Sequence, residues 1–326
     1  MERFAVGVDL GGTNLRVAAV SEAGKIFDKV ALATRPEHGR EVVVRELSEG
    51  VRQIASKHSG EKIMAGIGIG VPGIIYLKTG LLRQSPNLPG WENYPVRAEI
   101  ESLVGTQVFL ENDANCAALG ENWIGLGQGV GSLCMLTLGT GVGGGIVLEG
   151  KLWHGFLGMA GELGHIVVAE NGVPCPCGGQ GCLETEASAT AIIRYAKKIL
   201  AEKSSPALES ATRNGAALTS KLVYDVAKAG DAACCEIFHS VGKYLGIALA
   251  GLVNAWNLPL YVLGGNVAAA WDLFAPRMME EVYRRSFIFR EGQTRIEQSR
   301  LMGDAGILGA AYLPLEAPRE STQVQK

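Results

Sequence analysis

Apolar and polar positions divide the chain into short strand-like and helix-like blocks that occur twice in a similar order. Phe4 to Asp9, Leu15 to Val20 and Lys25 to Leu32 predict three strands joined by tight turns. A helical pattern follows from about Arg40 to Lys57, then a strand at Ile63 to Ile69. Beyond a Pro- and Gly-rich stretch, Pro72 to Trp91, the pattern predicts a short helix near Pro95 to Leu103, a strand at Gln107 to Leu110 and a helix over Ala114 to Trp123. From Ser132 a similar series restarts. It has strands at Leu133 to Leu138 and Gly143 to Leu148, a cysteine-bearing loop, long helices, a strand at Leu260 to Leu263 and a further helix. Two copies of one βββαβα plan are predicted. Lys203 to Ser220, rich in Ser, Ala and Asn, reads as a mobile connection, and Pro314 to Lys326 as a frayed tail.

Composition narrows the function. Lys plus Arg number 30 against 33 Asp plus Glu, a net charge of −3, so no general basic field exists to hold a nucleic acid or an anionic membrane. The opening MERFAVGVDL lacks the pattern of a signal peptide, and Leu245 to Val253 is too short to span a bilayer. A soluble cytoplasmic protein is expected. The 44 glycines are about twice the usual ~7%, so many backbone positions must be tight. Seven cysteines, an odd number, argue against a disulfide framework.

Asp9 to Thr13 (DLGGT) and Thr137 to Gly141 (TLGTG) each close an apolar strand and open onto a second one, and LGGNV (Leu263 to Val267) follows a later strand. Each is compatible with an ordinary hairpin turn. Each is equally a backbone nest for phosphate, because glycine leaves N–H groups open to a ligand. Recurrence at equivalent places favours the second. Gly68 to Gly73 and Gly139 to Gly144 match G-x-G-x-x-G, but strand-like residues follow, where a dinucleotide fingerprint must open a helix. The Gly-Lys pairs end in Ile26, Leu152 and Tyr244, so a Walker A loop is absent.

Cys175, Cys177 and Cys182 cluster around Gly178, Gly179 and Gly181, with His165 ten residues upstream. Three soft ligands and a histidine suit closed tetrahedral zinc; a redox or merely reduced cluster is the alternative. Asp113 precedes a helix. It reads as an N-cap or as a carboxylate that takes the proton of an attacking alcohol.

With the duplicated plan, DLGGT, ENDANCAALGE (Glu111 to Glu121), GELGH (Gly161 to His165) and CPCGGQGCLE (Cys175 to Glu184), the chain resembles the ROK family of sugar kinases and repressors, over about Val6 to Ala310. The resemblance implies an α/β, duplicated βββαβα, actin-like ATPase (ribonuclease H-like) fold, with two domains and a cleft between them. The expected domains are residues 1–115 and 116–303, with a C-terminal helix at about 304–315 packing back on the first.

The implied activity is ATP-dependent phosphorylation of the 6-hydroxyl of a hexose, D-glucose foremost. N-acetylhexosamine kinase and non-catalytic sugar-sensing regulator are the rivals, although no N-terminal helix-turn-helix precedes Phe4. By the same resemblance Asp113 is the general base, and Gly73, Asn87, Asn112, Glu162, His165 and Glu184 contact the sugar. Asp9, Gly11, Gly12, Thr13 and Asn14, then Thr137, Gly139, Thr140 and Gly141, and finally Gly264 and Gly265 face ATP and its Mg²⁺. Many family members carry Lys where this chain has Asn14, which leaves phosphate charge mainly to Mg²⁺ and the backbone. His165, Cys175, Cys177 and Cys182 hold a structural Zn²⁺ that organises the sugar carboxylates, while the nucleotide turns are expected to be independent of it. A homodimer is expected.

Overall fold

Strand β1 (Arg3–Leu10) opens the chain, followed by β2 (Asn14–Ser21), β3 (Ile26–Ala33), α1 (Arg40–His58), β4 (Ile63–Val71), β5 (Ile74–Tyr76), β6 (Leu81–Gln84), α2 (Val96–Val104), β7 (Val108–Asn112) and α3 (Asp113–Ile124). Then come β8 (Leu133–Leu138), β9 (Val142–Leu148), β10 (Lys151–Leu152), α4 (Leu183–Ala187), α5 (Ala189–Ala201), α6 (Pro206–Arg213), α7 (Ser220–Lys228) and α8 (Ala232–Trp256). The last elements are β11 (Leu260–Gly264), α9 (Trp271–Arg285), β12 (Arg295–Gln298) and α10 (Ala305–Glu316). The computed structural model describes residues 2–85, 87–213 and 215–317.

Two compact units form. The first holds Met1–Gln128, Lys151–Ala160 and the chain from Asp304 onward, and the second holds Gly129–Gly150 and Gly161–Gly303. The boundary therefore lies after residue 128 rather than after residue 115. Helix α3 stays with the first unit because it packs on α10, where a Cβ on Gly309 would meet the Cys116 carbonyl oxygen at 1.7 Å and one on Gly120 the Ala305 carbonyl oxygen at 2.3 Å. Such contact admits no side chain, so the two backbones stay in register.

In the first unit the strand order is β3-β2-β1-β4-β7. β1 pairs antiparallel with β2 and parallel with β4, and β4 pairs parallel with β7. Asp9 lies beside Gly70, and Gly70 beside Glu111, so the carboxyl ends of three parallel strands form one row. Ligands of open α/β sheets gather at that edge. In the second unit β9, β8, β11 and β12 repeat the order, with Thr137 paired to Gly264 at the corresponding edge. Each unit has its own core. Phe4, Leu47, Ile67 and Trp91 are among the buried residues of the first, and Phe238, Leu249, Tyr261 and Phe274 among those of the second.

Lys203 to Ser220 is more ordered than expected. It contains α6, whose Leu208 is fully buried; Ser205 Oγ accepts from Leu208 N–H (3.0 Å) and donates to Asp231 (2.8 Å), and Pro206 stands at the first helical position. Asn214 lies outside the described residues. The expected tail also begins later, since Pro314 is buried within α10, and residues 318–326 lie outside the described residues.

Candidate functional site

The first glycine turn links β1 to β2, where Gly11 N–H donates to the Asn14 carbonyl (2.8 Å) and Thr34 N–H to the Thr13 carbonyl (3.0 Å). Thr13 and Asn14 are exposed, and Asn14 Nδ2 donates to Thr13 Oγ1 at 3.0 Å. Asn87 sits against this turn: a Cβ on Gly12 would lie 3.1 Å from Asn87 Cβ, so the tight turn needs glycine there. Asp9 forms an ion pair with Arg16 of β2. Burial pushes the Asp9 carboxyl up, against the opposing pull of Arg16.

At the end of β7, Asn112 is the cap of α3. Its Oδ1 accepts from the N–H groups of Ala114 (2.9 Å) and Asn115 (3.2 Å), and its Nδ2 donates to the Gly73 carbonyl (3.3 Å). Asp113 is instead the first helical residue, with Oδ1 accepting from Ala114 N–H at 2.9 Å. Capping therefore falls to Asn112, which corrects the reading of Asp113 as the cap. Gly73 has φ +112°, and an added Cβ would meet the Gln84 carbonyl oxygen at 2.2 Å. Its glycine is required by that backbone approach.

In the second unit the turn between β8 and β9 is braced from α4 and α5. Gly139 N–H donates to the Gly141 carbonyl (2.9 Å), Ala189 N–H to the Gly139 carbonyl (2.9 Å) and Thr190 Oγ1 to the Thr140 carbonyl (2.8 Å). Glu184 Oε2 accepts from Val142 N–H at 2.9 Å and lies where a Cβ on Gly141 would come within 2.1 Å. Gly265, at φ +83°, brings the turn after β11 onto β8, where a Cβ would lie 2.5 Å from the Leu138 carbonyl oxygen. Gly264 is buried against Met135.

His165, Cys175, Cys177 and Cys182 offer donor atoms all within 4.8 Å of one another. His165 Nδ1 lies 3.6 Å from Cys175 Sγ, and Cys177 Sγ lies 3.7 Å from Cys182 Sγ. Zinc–sulfur bonds of about 2.3 Å set tetrahedral edges near ~3.8 Å, so the four atoms fit a closed zinc site. Burial raises the Cys175 thiol and pushes that of Cys182 up to about 12, whereas the Gly179 N–H lowers that of Cys177. A divalent cation resolves that cost by replacing the thiol protons. The remaining ring nitrogen of His165, Nε2, faces Glu162 Oε2 at 3.9 Å. Glu184 follows Cys182 by two residues, so the cysteine loop and the glycine turn share one carboxylate. The turn expected to be independent of the loop is thus in contact with a residue close behind Cys182.

The expected residues thus fall into two groups. The first unit holds Asp9, Gly11, Gly12, Thr13, Asn14, Gly73, Asn87, Asn112 and Asp113. The second holds Thr137, Gly139, Thr140, Gly141, Glu162, His165, Cys175, Cys177, Cys182, Glu184, Gly264 and Gly265. Sequence reasoning missed Arg16 and the pair of Glu111 with His154, which lie 43 residues apart. Only the alternation of β2, which puts Arg16 on the face of Asn14, hinted at the first.

The sequence profile of the ROK family matches residues 5–317. The chain belongs to the ROK family. Among ROK relatives, the glucokinase of Thermotoga maritima is 40% identical over 308 residues, 94% of this chain and 96% of that protein. The glucokinase of Halalkalibacterium halodurans is 38% identical over 316 residues, covering 96% and 95%. A ROK family glucokinase from Streptomyces griseus, crystallised in complex with glucose and AMPPNP, superposes with a TM-score of 0.82 at 32% identity, covering 96% of this chain and all of that one. The mixed α/β fold is that of the ROK glucokinases, within the actin-like ATPase superfamily. Among the described residues no helix is long and apolar enough to cross a membrane.

Proposed function

We propose that the chain transfers the terminal phosphoryl group of ATP to the 6-hydroxyl of D-glucose. The observation that carries this reading is the β7–α3 junction, where Asn112 caps the helix and its neighbour Asp113 supplies a carboxylate just beyond the strand-end row of Asp9, Gly70 and Glu111. Its likeness to glucokinases over nearly the whole chain supports the sugar and the donor.

Phosphoryl transfer to an alcohol needs in-line positioning, neutralised charge and an acceptor for the hydroxyl proton. Asp113 takes the proton of the 6-hydroxyl, while Asn112, Asn87 and the Gly73 backbone orient the ring. Glu162 and Glu184 accept from ring hydroxyls, and His165 bonds to them through Nε2. The turns at Gly11 to Asn14 and Thr137 to Gly141 receive the phosphates, and Gly264 and Gly265 the adenosine. Bound Mg²⁺ supplies charge neutralisation on the phosphoryl oxygens. Such an ion keeps most of its waters, and Asp9, paired with Arg16, would hold one of those waters. His165, Cys175, Cys177 and Cys182 would hold a Zn²⁺ that would fix their loop as a structural ion. The protein is read as a cytoplasmic homodimer.

An ADP-release assay over glucose, mannose, fructose, N-acetylglucosamine and N-acetylmannosamine tests the reading. Glucose should give the highest kcat/KM. Preference for an N-acetylated sugar would reassign the substrate, and no turnover with any of them would remove the kinase reading.

A further inference from the structure

Glu111 ends the buried part of β7 and is 4% exposed, yet its whole carboxylate is engaged. Oε1 accepts from Asn112 N–H and from Asn115 Nδ2, each at 2.9 Å, and Oε2 lies 2.7 Å from His154 Nε2. A carboxylate so far from water is costly unless it is paired and hydrogen-bonded. His154 is the partner. It comes from the segment Lys151–Ala160 of the same unit, and its carbonyl accepts from Ala160 N–H at 3.0 Å, closing that segment into a loop. Phe156 and Leu157 of this loop are exposed, so these two apolar side chains do little to anchor it.

The surroundings of Glu111 are rich in negative charge. The thiol of Cys116 on α3 is raised well above its ordinary value, first by burial and then by Glu111, Asp9 and Asp113. Three carboxylates therefore act on one buried point. Arg16 of β2 answers Asp9, and His154 answers Glu111.

We propose that His154 is a positioning residue for the phosphoryl transfer: it holds Glu111, and Glu111 fixes the Asn112 backbone and with it the direction of Asp113. This rests on Asp113 as the base. The imidazolium also offsets the Glu111 charge, so Asp113 does not stand beside an uncompensated carboxylate. The hydrogen bond that His154 donates to Glu111 raises its pKa from the ordinary imidazole value, partly opposed by burial. The pair is thus fully charged below the ordinary imidazole range, and it loses its cation as pH rises through the raised value. Above that, a neutral Nε2–H still donates, so geometry is retained while charge is lost.

The test compares His154→Ala, His154→Gln and Asp113→Asn with the wild type in steady-state kinetics across pH, each checked for folding by circular dichroism. His154→Ala should lower kcat by about tenfold or more, as small misplacement of a reacting group does, with KM for ATP nearly unchanged. His154→Gln places an N–H near the same point without a titrating charge. It should recover most of kcat at high pH and lack the alkaline decline of the wild type, while both proteins keep the acid limb of the base. Wild-type kcat in a folded His154→Ala, or an identical alkaline limb in His154→Gln, overturns the proposal while Asp113→Asn stays inactive. If His154→Ala fails to fold, the His154→Gln profile decides alone. An active Asp113→Asn would instead overturn the base.

Discussion

Asn112 and Asp113 divide two tasks that adjoining side chains at a strand–helix junction can both perform. The amide satisfies two N–H groups of the first helical turn, and the carboxylate opens the helix. Asp113→Asn preserves size and the bond from Ala114 N–H but removes the proton acceptor. Turnover should fall by about 10² to 10⁴, the range for losing a general base, while hexose binding changes far less, because the base acts chiefly in the transition state. Rapid-quench measurement of the chemical step, with equilibrium glucose binding alongside, checks this. A variant keeping more than about a tenth of wild-type turnover would show that the proton goes elsewhere.

Glu184 opens a short helix yet serves two elements. Its Oε2 accepts Val142 N–H at the start of β9, and the following residues of α5 hold the Gly139 and Thr140 carbonyls. Hydrogen bonds to a charged partner are worth roughly 1.5 to 3 kcal/mol, so losing this one is enough to disturb the turn. Glu184→Ala should therefore raise KM for ATP by about tenfold, equivalent to ~1.4 kcal/mol, as well as raising KM for the hexose. Glu184→Gln retains an oxygen for Val142 N–H and loses only the charge offered to sugar hydroxyls. It should raise KM for the hexose with KM for ATP near the wild-type value. Equal ATP effects from both variants would deny the bracing role of the carboxylate.

Over the second unit the cysteine loop runs into the helix whose Glu184 meets the turn between β8 and β9. Cys182 leads into α4, its neighbour Leu183 donates its N–H to the Ile166 carbonyl at 2.8 Å, and Glu184 then reaches the glycine turn. The purified protein should carry about one zinc per chain, as a closed structural site does, measured by elemental analysis. Chelation should raise KM for glucose and for ATP together, since the metal fixes the loop from which both carboxylate and helix start. An unchanged KM for ATP in folded, zinc-free protein would separate the two functions. The first unit carries no part of this loop, so binding of small ligands to Asn112 and Asp113 alone should be little affected.

Short-range pattern was enough for most of the elements. Strand and helix blocks of the first βββαβα copy were legible to within about two residues, because alternation and the 3.6-residue period follow from which side of each element faces the core. Ligand chemistry was legible where it is local: Cys175, Cys177 and Cys182 lie within eight residues, and DLGGT and TLGTG are single turns. Helix α6 escaped because its short polar stretch shows little periodicity, and its anchor, Ser205 to Asp231, spans 26 residues. The packing of α3 on α10 depends on carbonyl oxygens meeting glycines far away in sequence, which moved the boundary past residue 128. Likewise, the family resemblance gave Glu184 as a sugar ligand, and only the folded chain set it against Val142 N–H. The sequence by itself determined most of the elements, the glycine turns and the cysteine cluster with its histidine, since each depends on residues close in the chain. Tertiary structure alone decided that Arg16 answers Asp9, that His154 answers Glu111 and that Glu184, two residues after Cys182, reaches the turn between β8 and β9. Buried charges must find partners wherever the fold brings them, and no local pattern records that distance.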